Sequence, residues 1–84
     1  MDLCEAVLTD HATGQMAKRE IAEADVRRVL ALPDEVLEDR PGRVVAQAVL
    51  GGYLLRVFVD VDREPPEVVT VYLTSKIHKY RSQP

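Results

Sequence analysis

One cysteine, one phenylalanine and no tryptophan occur in these 84 residues. The lone Cys4 cannot form an intrachain disulfide or anchor a multi-cysteine zinc site. It is expected as a partly buried thiol near the N-terminus. His11 and His78 are the only histidines, and a two-histidine metal site would need a further ligand. No metal or cofactor is therefore expected. Glycine is sparse, and no glycine-rich phosphate loop is present. No apolar run approaches the roughly 18 residues needed to span a membrane. The opening Met1-Asp2-Leu3-Cys4-Glu5 lacks the basic and apolar regions of a signal peptide, so a cytoplasmic setting is expected. A basic surplus is missing too: the net charge is −3, whereas dedicated nucleic-acid binders are usually basic because phosphate contacts dominate their affinity.

What is present is an ordinary globular composition, 46% hydrophobic and 30% charged. The length predicts one domain over 1–84, with 1–7 and 81–84 expected to fray. A chain this short buries about two-thirds of its unfolded surface, enough for one modest core and one exposed face. Charge is segregated along the chain. Acids gather at Asp34, Glu35, Glu38 and Asp39 and again at Asp60, Asp62, Glu64 and Glu67. Bases gather at Lys18, Arg19, Arg27 and Arg28 and at Lys76, Lys79 and Arg81. A local basic face is compatible with the acidic total.

Thr9 or Asp10 can cap a helix running to about Arg19, with Ala12 and Met16 inward and His11, Gln15 and Lys18 on a polar stripe. A second helix is predicted from Glu23 to Leu32, ended by Pro33. It lacks a capping side chain at Ala22 but has Ile21 and Val26 at staple spacing. Residues 1–8 read as a short strand or lead-in, and Glu35–Glu38 as a short edge strand. Arg43–Leu50 and Tyr53–Asp60 read as strands joined at Gly51-Gly52, a strong two-residue hairpin signal. Val68–Thr74 is the last strand.

The hairpin sets a register in which Gln47 faces Arg56 and Ala46 faces Val57. One face carries Val44, Ala46, Ala48, Leu50, Tyr53, Leu55, Val57 and Val59 and is assigned to the core, with Val69, Val71 and Leu73 beside it. The other carries Gln47, Arg56, Thr70 and Tyr72 and is expected to be open. Gln47 opposite Arg56 is also what an ordinary cross-strand polar pair looks like. The lysines at 76 and 79 follow directly, either as part of a site or as a solvated tail.

Two segments combine. Thr9-Asp10-His11-Ala12 with Met16, Arg19 and Ile21 forms T-x-H-A-x-x-x-M-x-x-R-x-I. Asp25-Val26, Leu32-Pro33-Asp34, the double-glycine hairpin and VVTVYLTSKIHKY follow in order. The chain resembles, over about residues 8–80, the small bacterial family called domain of unknown function 4258 (DUF4258), grouped with RelE-like and BrnT-like toxins. The resemblance implies an α+β fold, with two N-terminal helices on one face of a three- to four-stranded antiparallel sheet. It also implies metal-independent endoribonuclease chemistry on mRNA, with RNA or the ribosome and an antitoxin protein as partners. Carried over by position, the catalytic candidates are His11, Arg56, Tyr72, Lys76 and Tyr80. The RNA-binding candidates are Lys18, Arg19, Gln47, Lys79 and Arg81. His11 has an alternative role in fixing the helix on the sheet. Glu20 stands where the family often has glycine, Ala22 where it often has serine, and Gln15 where it often has a basic residue. Two other classes stay open: an inactive RNA- or protein-binding module of the same fold, and an interaction domain that homodimerises through the sheet.

Overall fold

The structure, a computed structural model, describes residues 3–80. A short 3₁₀ turn at Leu3–Glu5 leads into β1 (Val7–Leu8), α1 (Asp10–Arg19) and α2 (Glu23–Ala31). Four longer strands follow: β2 (Glu35–Arg40), β3 (Arg43–Leu50), β4 (Tyr53–Asp60) and β5 (Glu67–Thr74). A one-turn helix, α3 (Ile77–Tyr80), follows β5. The fold is α+β, but the sheet has five strands in the order β1-β5-β4-β3-β2 and is mixed. β1 pairs with β5 in parallel while every other pair is antiparallel. This corrects the expectation of three or four antiparallel strands. The two-residue β1 is too short to show a period, and β2 runs on to Arg40 beyond the expected end. Among the described residues no helix is long and apolar enough to cross a membrane.

Thr9 caps α1 as expected. Its hydroxyl accepts from the Ala12 N–H at 3.2 Å and donates to the Val68 carbonyl at 2.8 Å. The cap thus also fastens the helix to β5. Glu20 closes α1 in the left-handed region (φ 55°), a conformation that favours glycine and costs other residues about 1 kcal/mol. α2 has no side-chain cap at Ala22, and both staple residues, Ile21 and Val26, are buried.

The β3–β4 register is the expected one, with Leu50 opposite Tyr53, Gln47 opposite Arg56 and Ala46 opposite Val57. Gly51 takes φ 62° in the turn. Helix α1 packs on β5, and α2 on β3 and β4. They cover Ala46, Ala48, Leu55, Val57 and Val59 together with Val68 and Val71.

Two residues leave the assigned core. Tyr53 is 51% exposed, because it starts β4 at the turn end of the hairpin. Val69 is displaced by an irregularity: Phe58 pairs with Thr70 but Val59 pairs with Val68, so Val69 is the extra residue and Val68 takes the core position. Leu3 and Ala6 join the core, whereas Cys4 is exposed rather than partly buried.

Candidate functional site

Antiparallel pairing lines up one polar row across the face that α1 and α2 do not cover. Glu35 lies opposite Gln47, Gln47 opposite Arg56, and Arg56 opposite Tyr72. The Gln47 amide N–H donates to the Glu35 carboxylate at 2.9 Å, and the Arg56 Nε–H donates to the Gln47 Oε1 at 2.9 Å. Beyond β5 the Arg19 guanidinium extends the row from α1, 5.6 Å from the centre of the Tyr72 ring.

This face is not open at its centre. Gln47 is fully buried, as are Val45 and Leu54 on the same face. The residues after β5 turn back as α3, and the Tyr80 carbonyl accepts a second hydrogen bond from Gln47 at 3.1 Å. Three of the four hydrogen-bonding positions of the Gln47 amide are thereby used, which is the condition for burying such a group. The turn into α3 is set by Thr74, whose hydroxyl accepts from the Lys76 N–H at 3.0 Å.

Tyr80 lies over the row. Its ring centre is 4.4 Å from the Arg56 guanidinium, and its plane meets Tyr72 edge-on at 5.9 Å between centroids. Phe58 lies 5.3 Å from the same guanidinium, and the Lys79 ammonium lies 5.4 Å from the Tyr80 ring. Each cation–aromatic contact at a half-exposed site is worth about 0.5–1 kcal/mol. Together with the Gln47 hydrogen bond they fix Arg56 in one pose.

The Tyr72 phenol is the perturbed group. The hydrogen bond toward Tyr80, then that toward Thr74, lowers its pKa from the ordinary tyrosine value; Lys76 and Lys79 add to this, and partial desolvation opposes it. Positive charge and hydrogen-bond donors both favour phenolate over phenol.

Arg56, Tyr72 and Tyr80 thus meet, with Lys76 and Lys79 near them and Arg19 at the rim. Gln47, expected on an open face, belongs to the row as a fully buried, hydrogen-bonded strut. His11 does not belong to it. It lies two helical turns before Arg19 on the exposed side of α1, about 12 Å along the axis. Lys18 is exposed on α1 with it, and His78 is exposed on α3. Arg81 lies outside the described residues. Sequence reasoning missed Gln15, whose Oε1 accepts from the Thr70 hydroxyl at 2.6 Å and ties α1 to this face. Its spacing of four residues from Arg19 was the available signal.

Glu35 of the first acidic segment ends the polar row at β2, and the second acidic segment lies elsewhere. Asp60, Asp62, Glu64 and Glu67 occupy the β4–β5 connection, at the start of β5, while Lys76 and Lys79 follow its end. An eight-residue strand separates its ends by about 23 Å, more than two Debye lengths at physiological salt. The −3 total therefore does not decide the potential at the Tyr72 end.

Residues 8–73 match the family described as Domain of unknown function (DUF4258). The chain belongs to that family. The DUF4258 match includes Arg19, Gln47, Arg56 and Tyr72 and stops before Lys76, Lys79 and Tyr80. No curated protein and no solved structure matches the chain. Among the described residues no group of three or more histidines, cysteines and carboxylates could hold a metal ion.

Proposed function

We propose that this DUF4258 domain binds single-stranded RNA across the Arg56–Tyr72–Tyr80 cluster and cleaves it as a RelE/BrnT-type endoribonuclease. The observation that carries the reading is a phenol of lowered pKa set among cations: Tyr72 beside Lys76, Lys79 and Arg19, with Arg56 in the same row. Tyr72 phenolate takes the proton of a ribose 2′-hydroxyl. The 2′ oxygen bonds to phosphorus and the bond from phosphorus to the 5′ oxygen breaks, while Arg56 and Lys76 stabilise the charge on the phosphoryl oxygens. Tyr80 protonates the departing 5′ oxygen. The products are a 2′,3′-cyclic phosphate and a 5′-hydroxyl. Proton transfer from Tyr72 to Tyr80 restores the pair. His11 has no step in this scheme.

The test is cleavage of mRNA in a translating extract, mapped by primer extension, with Tyr72→Phe as the comparison. Losing an acid–base group lowers the rate by roughly 10²–10⁴-fold, so cuts vanish in the variant while oligonucleotide binding persists. The rate rises with pH until Tyr72 is ionised. In Tyr80→Phe the rate falls because the acid is lost, and the rise that remains moves to higher pH because the hydrogen bond favouring the Tyr72 phenolate is gone. Unchanged cutting by Tyr72→Phe refutes the assignment.

A second reading, RNA held without turnover, is favoured by the same Arg56. Its Nε–H is committed to Gln47 and its plane to two aromatic rings, which is the construction of a stacking platform. It predicts binding that Tyr72→Phe preserves and no cuts from the wild type.

A further inference from the structure

Gly14 is a residue of α1 that neither backbone nor packing explains. It lies inside a ten-residue helix and is exposed. Glycine there costs about 1 kcal/mol relative to alanine. Its φ is not in the left-handed region, and a Cβ would meet nothing within 4 Å. What the missing side chain leaves is a depression of about 310 Å³ lined by Asp10, His11, Gly14, Gln15, Lys18 and Arg19. His11 and Lys18, three residues before and four after, flank Gly14 on the helix surface.

This depression adjoins the Tyr72 row. Arg19 belongs to both, because its guanidinium lies against Tyr72. Gln15, also in the lining, holds Thr70 on the sheet. Lys18 and Arg19 outweigh Asp10, which sits in the first turn of α1 where a carboxylate complements the helix N-terminus. The surface is concave and cationic, and it continues from the aromatic cluster.

We propose that the depression over Gly14 is a second phosphate subsite. It takes a phosphodiester of the same strand, neighbouring the one held at Arg56 and Tyr72. This rests on the reading that the Tyr72 row engages RNA. The occupant is single-stranded, because a base can stack on Tyr80 only when it is free of a duplex. Lys18 and Arg19 contact the phosphate, and His11 lines the depression beside them.

The test measures binding of two non-cleavable 2′-O-methyl oligouridylates, a dinucleotide and a hexanucleotide, across 50–200 mM salt. Each phosphate contact contributes a slope of about −0.7 in log affinity against log salt for single strands. The hexanucleotide slope is expected to be steeper by about 0.7–1.4 for wild type, with an affinity advantage of roughly tenfold. Gly14→Glu fills the depression with negative charge, so the advantage collapses and the slopes converge. Gly14→Ala, a control for folding, melts higher and keeps the advantage. Lys18→Gln flattens the hexanucleotide slope by about 0.7, an effect that a purely structural role would not produce. Equal slopes for the two oligomers, or a Gly14→Glu hexanucleotide slope like wild type, overturns the second subsite; dinucleotide binding that Arg56→Ala abolishes then leaves the Tyr72 reading standing. Inorganic phosphate that displaces the hexanucleotide as well as the dinucleotide does overturns it in favour of a free-anion site. Neither oligomer binding to folded protein at 50 mM salt overturns both readings.

Discussion

On one side of the sheet Ala46, Ala48, Leu55, Val57 and Val59 lie under helices of ten and nine residues; on the other, Gln47 lies under a helix of four. The first cover is apolar against apolar, non-directional and proportional to area. The second is directional. A single helical turn has no stability of its own, so α3 is held by what it touches: the Gln47 bond to its last carbonyl and the Arg56 contact with its last ring. One face is therefore fixed by bulk and the other by a few aligned polar atoms. The candidate chemistry sits on the face that can open locally at least cost.

The contrast can be broken most severely from the helical side. Leu55→Ala removes a fully buried side chain between α2 and the sheet and is expected to destabilise by about 2–5 kcal/mol, measured by urea unfolding. Gln47→Leu on the other face is expected to cost only about 1–3 kcal/mol, since Arg56 and Glu35 are partly exposed and can turn to water. The same change should speed amide exchange in α3 while leaving α1 protected. A Gln47→Leu loss equal to that of Leu55→Ala would erase the distinction.

A third measurement sharpens the comparison at the acidic end. The Arg43 Nε–H donates to Asp60 at 2.6 Å, and this hydrogen bond holds the Asp60 carboxyl below the usual range, against an opposing desolvation. A carboxyl with a lowered folded pKa contributes stability that is full above its unfolded value, about 3.9, and is lost as pH falls through the folded one. Asp60→Asn should therefore cost about 1–2 kcal/mol near neutrality and flatten the loss of stability below about pH 4. The smallest effect is a gain. Glu20→Gly relieves the left-handed cap between the two helices and should stabilise by about 0.5–1 kcal/mol, read from the thermal midpoint.

The hairpin was legible because Gly51-Gly52 is bounded by two runs of equal length, and one turn then fixes every partner from Arg43–Asp60 to Leu50–Tyr53. The site row followed from that register. Val69 was not legible: in Glu67-Val68-Val69-Thr70 two adjacent valines carry no period, so the extra residue could not be placed. Residues 1–8 read as a short strand or lead-in, but the parallel pairing of β1 with β5 was hidden because two residues have no pattern. The burial of Gln47 was hidden because it depends on α3 folding back, and VVTVYLTSKIHKY reads as a strand followed by a charged tail. Glu20 stands where the family often has glycine, and its left-handed backbone (φ 55°) supplies the physical reason, which sequence reasoning did not draw.

The tie between Thr9 and Val68 has a consequence for how the chain is made. The Thr9 N–H and hydroxyl both reach the Val68 carbonyl, and the Val7 N–H reaches the Pro66 carbonyl. Synthesis runs from the N-terminus, so α1 and α2 leave the ribosome long before the segment that fastens them. Until β5 emerges, the inner sides of both helices have only the β2–β4 meander to meet, and α1 lacks the strand it mainly packs on. Closure is thus a late, long-range event of the kind that slows folding. A nascent chain halted inside the β4–β5 connection would expose Ala12 and Met16, a surface for chaperones to grip.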